Sequence, residues 1–239
     1  MRNIKKILAF TTFLVIFVMF TGVVSATTYT VNPGTTIQSV INKAASNDTI
    51  TVNDKNGTAY TYKENIVINK TIKLQAKSGG LVTIQASNAS YFAIDVLSGG
   101  SGSIIKGFTI KGATGNSTAG ILIDHASKCN VSQNTITDNY IGVRLQYSNS
   151  ITLYNNKVNG NTGDGIDLLY SNSTTLSLNN VTGNNFNGIE LGYTKNNIIT
   201  ANNATDNTIG IYVWSSSNTS ISGNNVACND FGNDWGIYS

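Results

Sequence analysis

The sequence predicts an all-β protein, a single-stranded parallel β-helix (solenoid) with a short N-terminal capping helix. Asparagine-rich segments such as NNVTGNN (residues 179–185) recur every 22 to 23 residues, and apolar residues alternate with polar ones over three to five positions. Glycine is abundant, and there is one proline. This alternation is typical of short strands joined by tight turns. Strands this short bury a face only when successive copies stack.

The N-terminal segment, 1–26, has the pattern of a signal peptide. A basic start is followed by an apolar run over residues 7–24 and then by small residues, so we expect the mature chain to begin near Thr27. An uncleaved membrane anchor is the alternative, because the run is longer than the usual apolar core of a signal peptide. In either case we expect the β-helix domain, residues 27–239, to be exported.

Net charge argues against one class of partner. Three of the 15 basic residues lie in the signal segment, which leaves 12 basic and 12 acidic residues in the exported part. Nucleic-acid binding needs clustered cations that replace phosphate counterions. We therefore expect no nucleic-acid partner, and membrane contact only through the N-terminal segment if it stays uncleaved.

The N-terminal cap is predicted over residues 27–50. Within it, TTIQSVINKAA (35–45) has apolar residues at helical spacing, and Thr35 or Thr36 is a suitable N-cap. The apolar stripe consists of Ile37, Val40, Ile41 and Ala44. A helix here would cover the open edge of the first rung.

Regular rungs are predicted over residues 119–239, with less regular strands before them at 64–76 and 81–86. Ile94, Val96, Ile105 and Ile110 continue the columns upstream, and residues 236–239 begin a further rung. The four apolar columns are Ile121, Val143, Ile166, Ile189 and Ile211; Ile123, Leu145, Leu168, Leu191 and Val213; Val131, Leu153, Leu176, Ile199 and Ile221; and Ile136, Val158, Val181, Ala204 and Val226.

Two asparagine columns are predicted to form ladders at the corners. Asparagine tolerates the left-handed conformation of tight corners, and stacked amides can hydrogen-bond along the axis. Buried amides without partners would cost about 1–3 kcal/mol each. Phe108 stands where the first column would continue upstream. The columns are Asn134, Asn156, Asn179, Asn202 and Asn224, and Asn139, Asn161, Asn184, Asn207 and Asn229.

The chain resembles the right-handed parallel β-helix repeat family over residues 28–239. The resemblance is carried by the rungs, of pattern G-I-x-L…N-x-I…N, and by the opening segment TVNPGTTIQSVINKAASNDTITV. That family includes NosD-like periplasmic proteins, carbohydrate-active enzymes and adhesin-like surface proteins of archaea. The resemblance implies a right-handed coil, as does the usual handedness of parallel crossovers. It specifies function poorly, because the scaffold carries several activities.

One outward column could carry chemistry. Arg144, Asp167 and Glu190 align in consecutive rungs, and a polysaccharide-cleaving β-helix needs carboxylates and basic groups on one face. A surface ion pair between Arg144 and Asp167, worth about 0.2–1 kcal/mol, is the simpler interpretation, and on it no residue is catalytic. A catalytic strip of these three residues is the alternative. Other candidates weighed are Asp124, His125 and Asp164, with His125 interpreted as a rim residue.

A tyrosine column is the candidate ligand-binding surface. Tyr147, Tyr170 and Tyr193 stand 23 residues apart, and Trp214 continues the column only with a shift of two. Sugar rings could lie on such a strip. Stabilising contacts between stacked rings are the alternative interpretation.

No metal and no cofactor is predicted. Copper sites use clustered His, Met or Cys ligands, whereas the exported part has one His and two distant Cys, and both methionines lie in the signal segment. The NosD-like resemblance therefore does not carry copper binding across. Cys129 and Cys228 stand four rungs apart, about 19 Å, which is too far for a disulfide.

The leading hypothesis is an exported, non-enzymatic, adhesin-like module of the cell surface that contacts cell-surface polysaccharide or other envelope components. The alternative is a polysaccharide lyase, hydrolase or epimerase on the same scaffold. A third hypothesis, assistance in assembling a periplasmic metalloenzyme, predicts that purified protein retains metal.

Overall fold

The structure is a computed structural model that describes residues 25–230 and the backbone of 237–238. Most of the predicted signal segment lies outside the described residues. No helix within the described part is long and apolar enough to cross a membrane. The chain coils into three parallel sheets, which confirms the predicted β-solenoid.

Sheet 1 has nine strands, each contributed by one turn of the coil. They are β1 (Thr28–Val31), β2 (Thr49–Val52), β5 (Lys73–Ala76), β8 (Ile104–Lys106), β11 (Asn130–Ser132), β14 (Thr152–Tyr154), β17 (Thr175–Ser177), β20 (Ile198–Thr200) and β23 (Ser220–Ser222).

Sheet 2 has eight strands and includes the longest ones. They are β4 (Ile66–Ile68), β7 (Ile94–Val96), β10 (Ala119–Asp124), β13 (Ile141–Gln146), β16 (Ile166–Leu169), β19 (Asn187–Gly192), β22 (Ile209–Trp214) and β24 (Ile237–Tyr238). The pairing of β24 with β22 agrees with the further rung predicted at 236–239, of which 236 and 239 lie outside the described residues.

Sheet 3 has seven strands. They are β3 (Tyr60–Lys63), β6 (Val82–Gln85), β9 (Thr109–Lys111), β12 (Thr135–Thr137), β15 (Lys157–Asn159), β18 (Asn180–Thr182) and β21 (Asn203–Thr205). A 3₁₀ turn, Ser98–Gly100, and helix α1, Ile37–Lys43, complete the described elements.

The predicted register is correct throughout the regular rungs. Val158 pairs with Val181 in sheet 3, and Val143 pairs with Ile166 in sheet 2. Upstream, Ile110 continues the same column by pairing with Ile136. The apolar columns of the three sheets meet in one core along the axis. Because each rung packs on its neighbours, strands too short to bury an apolar face by themselves become buried in the stack.

Helix α1 covers the first rungs through Ile37, Val40 and Ile41, which are buried. The N-cap position falls on Thr36, one of the two predicted threonines, but the threonine side chain does not cap the helix. Thr36 occupies the N-cap position without a side-chain hydrogen bond. The carboxylate of Glu64 instead accepts hydrogen bonds from the backbone N–H groups of Ile37 and Gln38, at 2.7 and 3.0 Å. A negative charge there also complements the positive end of the helix dipole.

The corner asparagines form the two ladders, and Asn179 represents the first. Its Oδ1 accepts from the backbone N–H and Nδ2 of Asn156, at 3.0 Å each. Its Nδ2 donates to the carbonyl of Leu153 at 2.8 Å and to Oδ1 of Asn202 at 2.9 Å. Each amide thus satisfies buried groups of two neighbouring rungs. In the second column, Nδ2 of Asn161 donates to Oδ1 of Asn184 at 2.9 Å.

The expected left-handed conformation belongs to other residues. Positive φ angles occur one position before each ladder asparagine, for example 51° at Asn155 and 57° at Leu178. The ladder asparagines are therefore selected for their two-sided hydrogen bonding, and the left-handed corner residue varies from rung to rung. A third corner carries hydroxyl groups in the same role, since Oγ of Ser171 accepts from the backbone N–H of Ser148 at 3.0 Å.

Candidate functional site: the outer face of sheet 2

The outer face of sheet 2 carries two columns of outward side chains. The alternation of the strands requires this, because Val143 and Leu145 point into the core. The acidic column consists of Asp95, Leu122, Arg144, Asp167, Glu190 and Tyr212. The edge column consists of Asp124, Gln146, Leu169, Gly192 and Trp214.

The structure brings Arg144 and Asp167 together as an ion pair. Nε of Arg144 donates to Oδ2 of Asp167 at 2.8 Å, and its Nη1 donates to the carbonyl of Ser117 at 3.2 Å. The Asp167 side chain is only 8% exposed, so this is not the exposed surface pair of the simpler interpretation. Burial raises the pKa of Asp167, an effect that the Arg144 guanidinium opposes. The pair holds β13 against β16.

Glu190, the third residue of the alternative catalytic strip, is held by two donors. Its Oε2 accepts from Nδ2 of Asn187 at 2.7 Å, and its Oε1 accepts from Nε1 of Trp214 at 2.9 Å. Both carboxylate oxygens are therefore bound within the protein. The side chain orients Trp214 and is not presented as a free base.

Asp164 is the carboxyl group of this face whose pKa is raised most by its surroundings. Burial, together with the nearby charges of Glu190 and Asp167, raises the pKa of Asp164 to about 7. The backbone N–H of Asn187, 2.9 Å from its Oδ1, opposes the change. A carboxyl group with this pKa can hold or release a proton near neutral pH.

Two further acids lie at the other end of the face. Burial and the charge of Asp124 raise the pKa of Asp95 to about 6, and Oδ1 of Asp95 has no hydrogen-bond partner among the described residues. Asp124 contacts Nδ1 of His125 at 2.8 Å. The sequence pattern did not identify Asp95, because its rung lies outside the regular repeat.

Beside the edge column runs an aromatic stack of His125, Tyr147, Tyr170, Tyr193 and Trp214. Centroids of successive tyrosine rings are 4.9 to 5.0 Å apart, with planes inclined by 4 to 5°. His125 lies on Tyr147 at 4.9 Å. His125, interpreted from the sequence as a rim residue, is exposed at the end of the stack, and its place one rung before Tyr147 in the repeat indicates this position. The first four residues are left-handed, with φ of 49 to 53°.

The geometry of the stack excludes sugar rings lying flat on the tyrosines. Each tyrosine face is covered by the next ring, so only ring edges and hydroxyl groups reach solvent. Tyr147, Tyr170 and Tyr193 are 39 to 45% exposed. No hydrogen bond of their hydroxyl groups to the described part of the protein is found. The stack therefore presents a row of hydroxyl groups about one rung apart.

Trp214 differs from the tyrosines. Trp214 stands one residue before Ser215, the left-handed corner residue that corresponds to Tyr193 in the preceding rung. The shift from the tyrosine column is therefore one residue, whereas the sequence spacing predicted two. Its indole is inclined by 68° to Tyr193 and lies over Gly192, where a Cβ atom would be 2.6 Å from Cζ2. The missing side chain at Gly192 thus makes room for the ring. Trp214 is half-buried and ends the stack with a differently oriented aromatic surface.

Three clefts lie elsewhere, among the first rungs. Their volumes are about 530, 450 and 310 Å³. The largest is lined by loop residues including Asn32, Asp54 and Lys77. None of these three is lined by the acidic column or the aromatic stack.

Comparison with known proteins identifies a family. The model of the family described as "Periplasmic copper-binding protein (NosD)" matches residues 20–239. No curated protein is significantly similar to the chain.

Solved structures with a similar fold include an alginate epimerase, an α-1,3-glucanase and an alginate lyase. A periplasmic alginate epimerase shares 16% identity (TM-score 0.57, covering 82% of this chain and 54% of that one). The catalytic domain of a GH87 α-1,3-glucanase, in complex with tetrasaccharides, shares 14% (TM-score 0.69, 81% and 38%). An alginate lyase from Paenibacillus sp. str. FPU-7 shares 14% (TM-score 0.53, 89% and 97%). The chain thus spans about half or less of the first two proteins, and these identities establish the fold alone.

The donor groups do not fit a copper site. Copper prefers imidazole and sulfur ligands, and the described residues offer only His125, Cys129 and Cys228. Cys129 is buried with its Sγ 3.6 Å from two backbone carbonyls, whereas Cys228 is exposed. No three His, Cys, Asp or Glu side chains of the described part are grouped closely enough to hold a metal ion.

Proposed function

We propose that this chain, which belongs to the NosD family, is an exported, non-enzymatic, adhesin-like module that contacts polysaccharide through the outer face of sheet 2. One observation carries the proposal. The exposed tyrosines of the aromatic stack and the half-buried Trp214 at its end form a continuous strip beside a row of polar groups. A linear polymer can contact several rungs of such a strip at once, because the rungs repeat along its length.

Two kinds of contact are available on this strip. The hydroxyl groups of Tyr147, Tyr170 and Tyr193 can donate and accept hydrogen bonds from sugar hydroxyls. Trp214 supplies an indole surface that is not stacked face to face with the tyrosines. Binding by regularly spaced weak contacts suits a long polymer, since each added rung adds an intramolecular contact. The fold that the chain shares with polysaccharide-acting proteins is consistent with such a ligand.

Hydrogen bonding within the acidic column supports a non-enzymatic role. Arg144 is bound to Asp167, and both oxygens of Glu190 are bound to protein donors. Groups that are fully engaged in holding strands together are poorly placed to exchange protons with a substrate.

A glycan array with the purified exported part tests the proposal. We expect binding to at least one polysaccharide, and we expect Trp214→Ala to weaken it at least fivefold. Tyr154→Ala is the matched control, because Tyr154 lies on sheet 1, outside the aromatic stack, and is as exposed as the tyrosines of the stack. Absence of binding to any glycan would refute the proposal, as would equal loss in both variants.

The enzymatic alternative has one observation in its favour, the pKa of Asp164 near 7 beside Asp167 and Glu190. A lyase, hydrolase or epimerase would release or modify sugar when incubated with uronic-acid or neutral glycans. Turnover that disappears in Asp167→Asn and Asp164→Asn, while Asp206→Asn retains it, would replace the non-enzymatic proposal. Asp206 is an exposed residue at the corner between β21 and β22, and it belongs to neither column.

A further inference from the structure

The charged side chains of the strands are unevenly distributed around the coil. Every carboxylate that belongs to a described strand lies on sheet 2, whereas the described strands of sheets 1 and 3 contain lysines and no carboxylate. These lysines are Lys63, Lys73, Lys106, Lys111 and Lys157. The balanced charge of the exported part therefore conceals a basic side of the coil, which lies away from sheet 2.

Two of the three clefts lie on this side, at the corner where the chain passes from sheet 1 into sheet 3. Lys77 lines both of them, with Lys55 in the larger cleft and Lys106 in the other. We call these three lysines the basic corner. Since β2, β5 and β8 pair in that order, each of three successive turns contributes one cation, with about 4.8 Å between turns. Volumes of about 530 and 450 Å³ are in the range of ligand-binding clefts.

The cations of the basic corner are available to a ligand. All three lysines are exposed, and none forms an ion pair with another described residue. Asp54 is the one carboxylate that lines either cleft. Its Oδ1 accepts from the backbone N–H of Gly57 at 2.7 Å, and this bond, together with the Ser78 hydroxyl and the charge of Lys77, lowers the pKa of Asp54. Three lysines against one ionised carboxylate leave an excess of positive charge.

We infer that the basic corner is a second glycan-binding site, specific for acidic polysaccharide. One cation in each turn suits a polymer that carries an anionic group on each sugar, because charges of opposite sign then face one another along the axis. The amides of Gln75 and Gln133, which line the second cleft, can donate and accept hydrogen bonds from sugar hydroxyls. No aromatic residue lines either cleft, whereas single-stranded nucleic acids are bound by stacking on aromatic rings. The inference goes beyond the proposed function and uses none of its residues.

Titration calorimetry with three oligosaccharides of equal length tests the inference. The probes are a uronic-acid hexamer, a sulfated glucose hexamer and an unmodified glucose hexamer, each titrated into the purified exported part. We expect at least one acidic hexamer to bind at least tenfold more tightly than the unmodified one, and the two acidic hexamers distinguish carboxylate from sulfate as the recognised group. Added salt should reduce the difference, because exposed charges are screened.

Lys77→Gln removes the cation that both clefts share and should weaken binding of the acidic hexamer at least fivefold. Lys157→Gln is the matched control, because Lys157 is an exposed lysine on sheet 3 outside both clefts. Trp214→Ala should also leave this binding unchanged, since the aromatic stack lies at another corner of the coil.

Equal binding of all three hexamers, or no binding of either acidic one, would overturn the inference. Equal losses in the two lysine variants would show attraction by net charge alone, and a loss in Trp214→Ala would place the ligand on the stack, so both results would also overturn it. Tighter binding of a single-stranded DNA oligomer of similar charge would do the same. A failure at the basic corner leaves the proposed function standing, because that function depends on the stack.

Discussion

The first rungs, up to Lys111, and the regular rungs, from Ala119, close the same coil by different means. In the regular rungs, ladder asparagines fill the corners and the columns keep a nearly constant repeat. In the first rungs each turn contains more residues. Ile84 pairs with Ile110, and Ile110 pairs with Ile136, so these turns are longer than those of the regular rungs.

Apolar side chains replace the amides in the first rungs. Phe108 fills the position upstream of Asn134 and is buried. Its backbone N–H donates to Oδ1 of Asn134 at 3.0 Å, so the ladder still satisfies the edge of the irregular region. Helix α1 covers the same region. Corner filling can thus be apolar or amide-based, and the amide ladder spans rungs of 22 to 26 residues.

The largest expected effect is that of removing the apolar corner. Phe108→Ala should lower the free energy of unfolding by about 4 kcal/mol, because it leaves a cavity in a fully packed column. Chemical denaturation measures the change. Phe186→Ala, at an exposed phenylalanine, should have little effect, and a similar loss in both variants would contradict the role given to the corner.

Breaking an amide ladder should lower the free energy of unfolding somewhat less than Phe108→Ala does. Asn179→Ala leaves the backbone N–H of Asn156 and the carbonyl of Leu153 without buried partners, and we expect a loss of about 3 kcal/mol. Hydrogen exchange should show faster opening in the rungs next to residue 179. Asn180→Ala, one position along and exposed, is the control. A smaller loss in Asn179→Ala than in Asn180→Ala would show that the ladder is dispensable.

The carboxyl group of Asp164, beside the acidic column, should make stability depend on pH. Since the folded pKa of Asp164 is raised from 3.8 to about 7, its folded form binds more protons than the unfolded form, and stability falls as pH rises from about 4 to 7. Asp164→Asn should remove this decline and stabilise the protein at pH 8 by about 2 kcal/mol, less than full linkage gives, because the group retains some solvent contact. Denaturation midpoints from pH 4 to 8 measure it. A slope equal to that of the control Asp206→Asn would refute the assignment.

The smallest expected effect concerns the cap of the first rungs. Glu64→Ala removes the acceptor of the Ile37 and Gln38 N–H groups and should destabilise α1 by about 1 kcal/mol. Faster amide exchange within residues 37–43 is the readout. Lys63→Ala, at the exposed neighbouring residue, should leave exchange unchanged, and identical behaviour of the two variants would show that Glu64 is not the cap.

Much of the candidate face could be aligned from the sequence, but its chemistry could not. The pairing of Arg144 with Asp167 followed from the repeat. The burial that raises the pKa of Asp164 depends on how neighbouring rungs pack, which spacing does not report. Asp95 was missed because its rung is longer than the repeat, and Gly192 gave no signal until the indole of Trp214 was seen to occupy its space.

The sequence by itself determined the coil, its register and the residues that stack, because two periods, the alternation within a strand and the repeat between rungs, are written directly into the order of side chains. Only the tertiary structure decided which surfaces the stacked residues leave open. Rings placed one rung apart cover one another's faces, and an ion pair between adjacent strands is shielded by its neighbours. These outcomes depend on side-chain orientation and on packing between rungs, and neither is encoded in spacing alone.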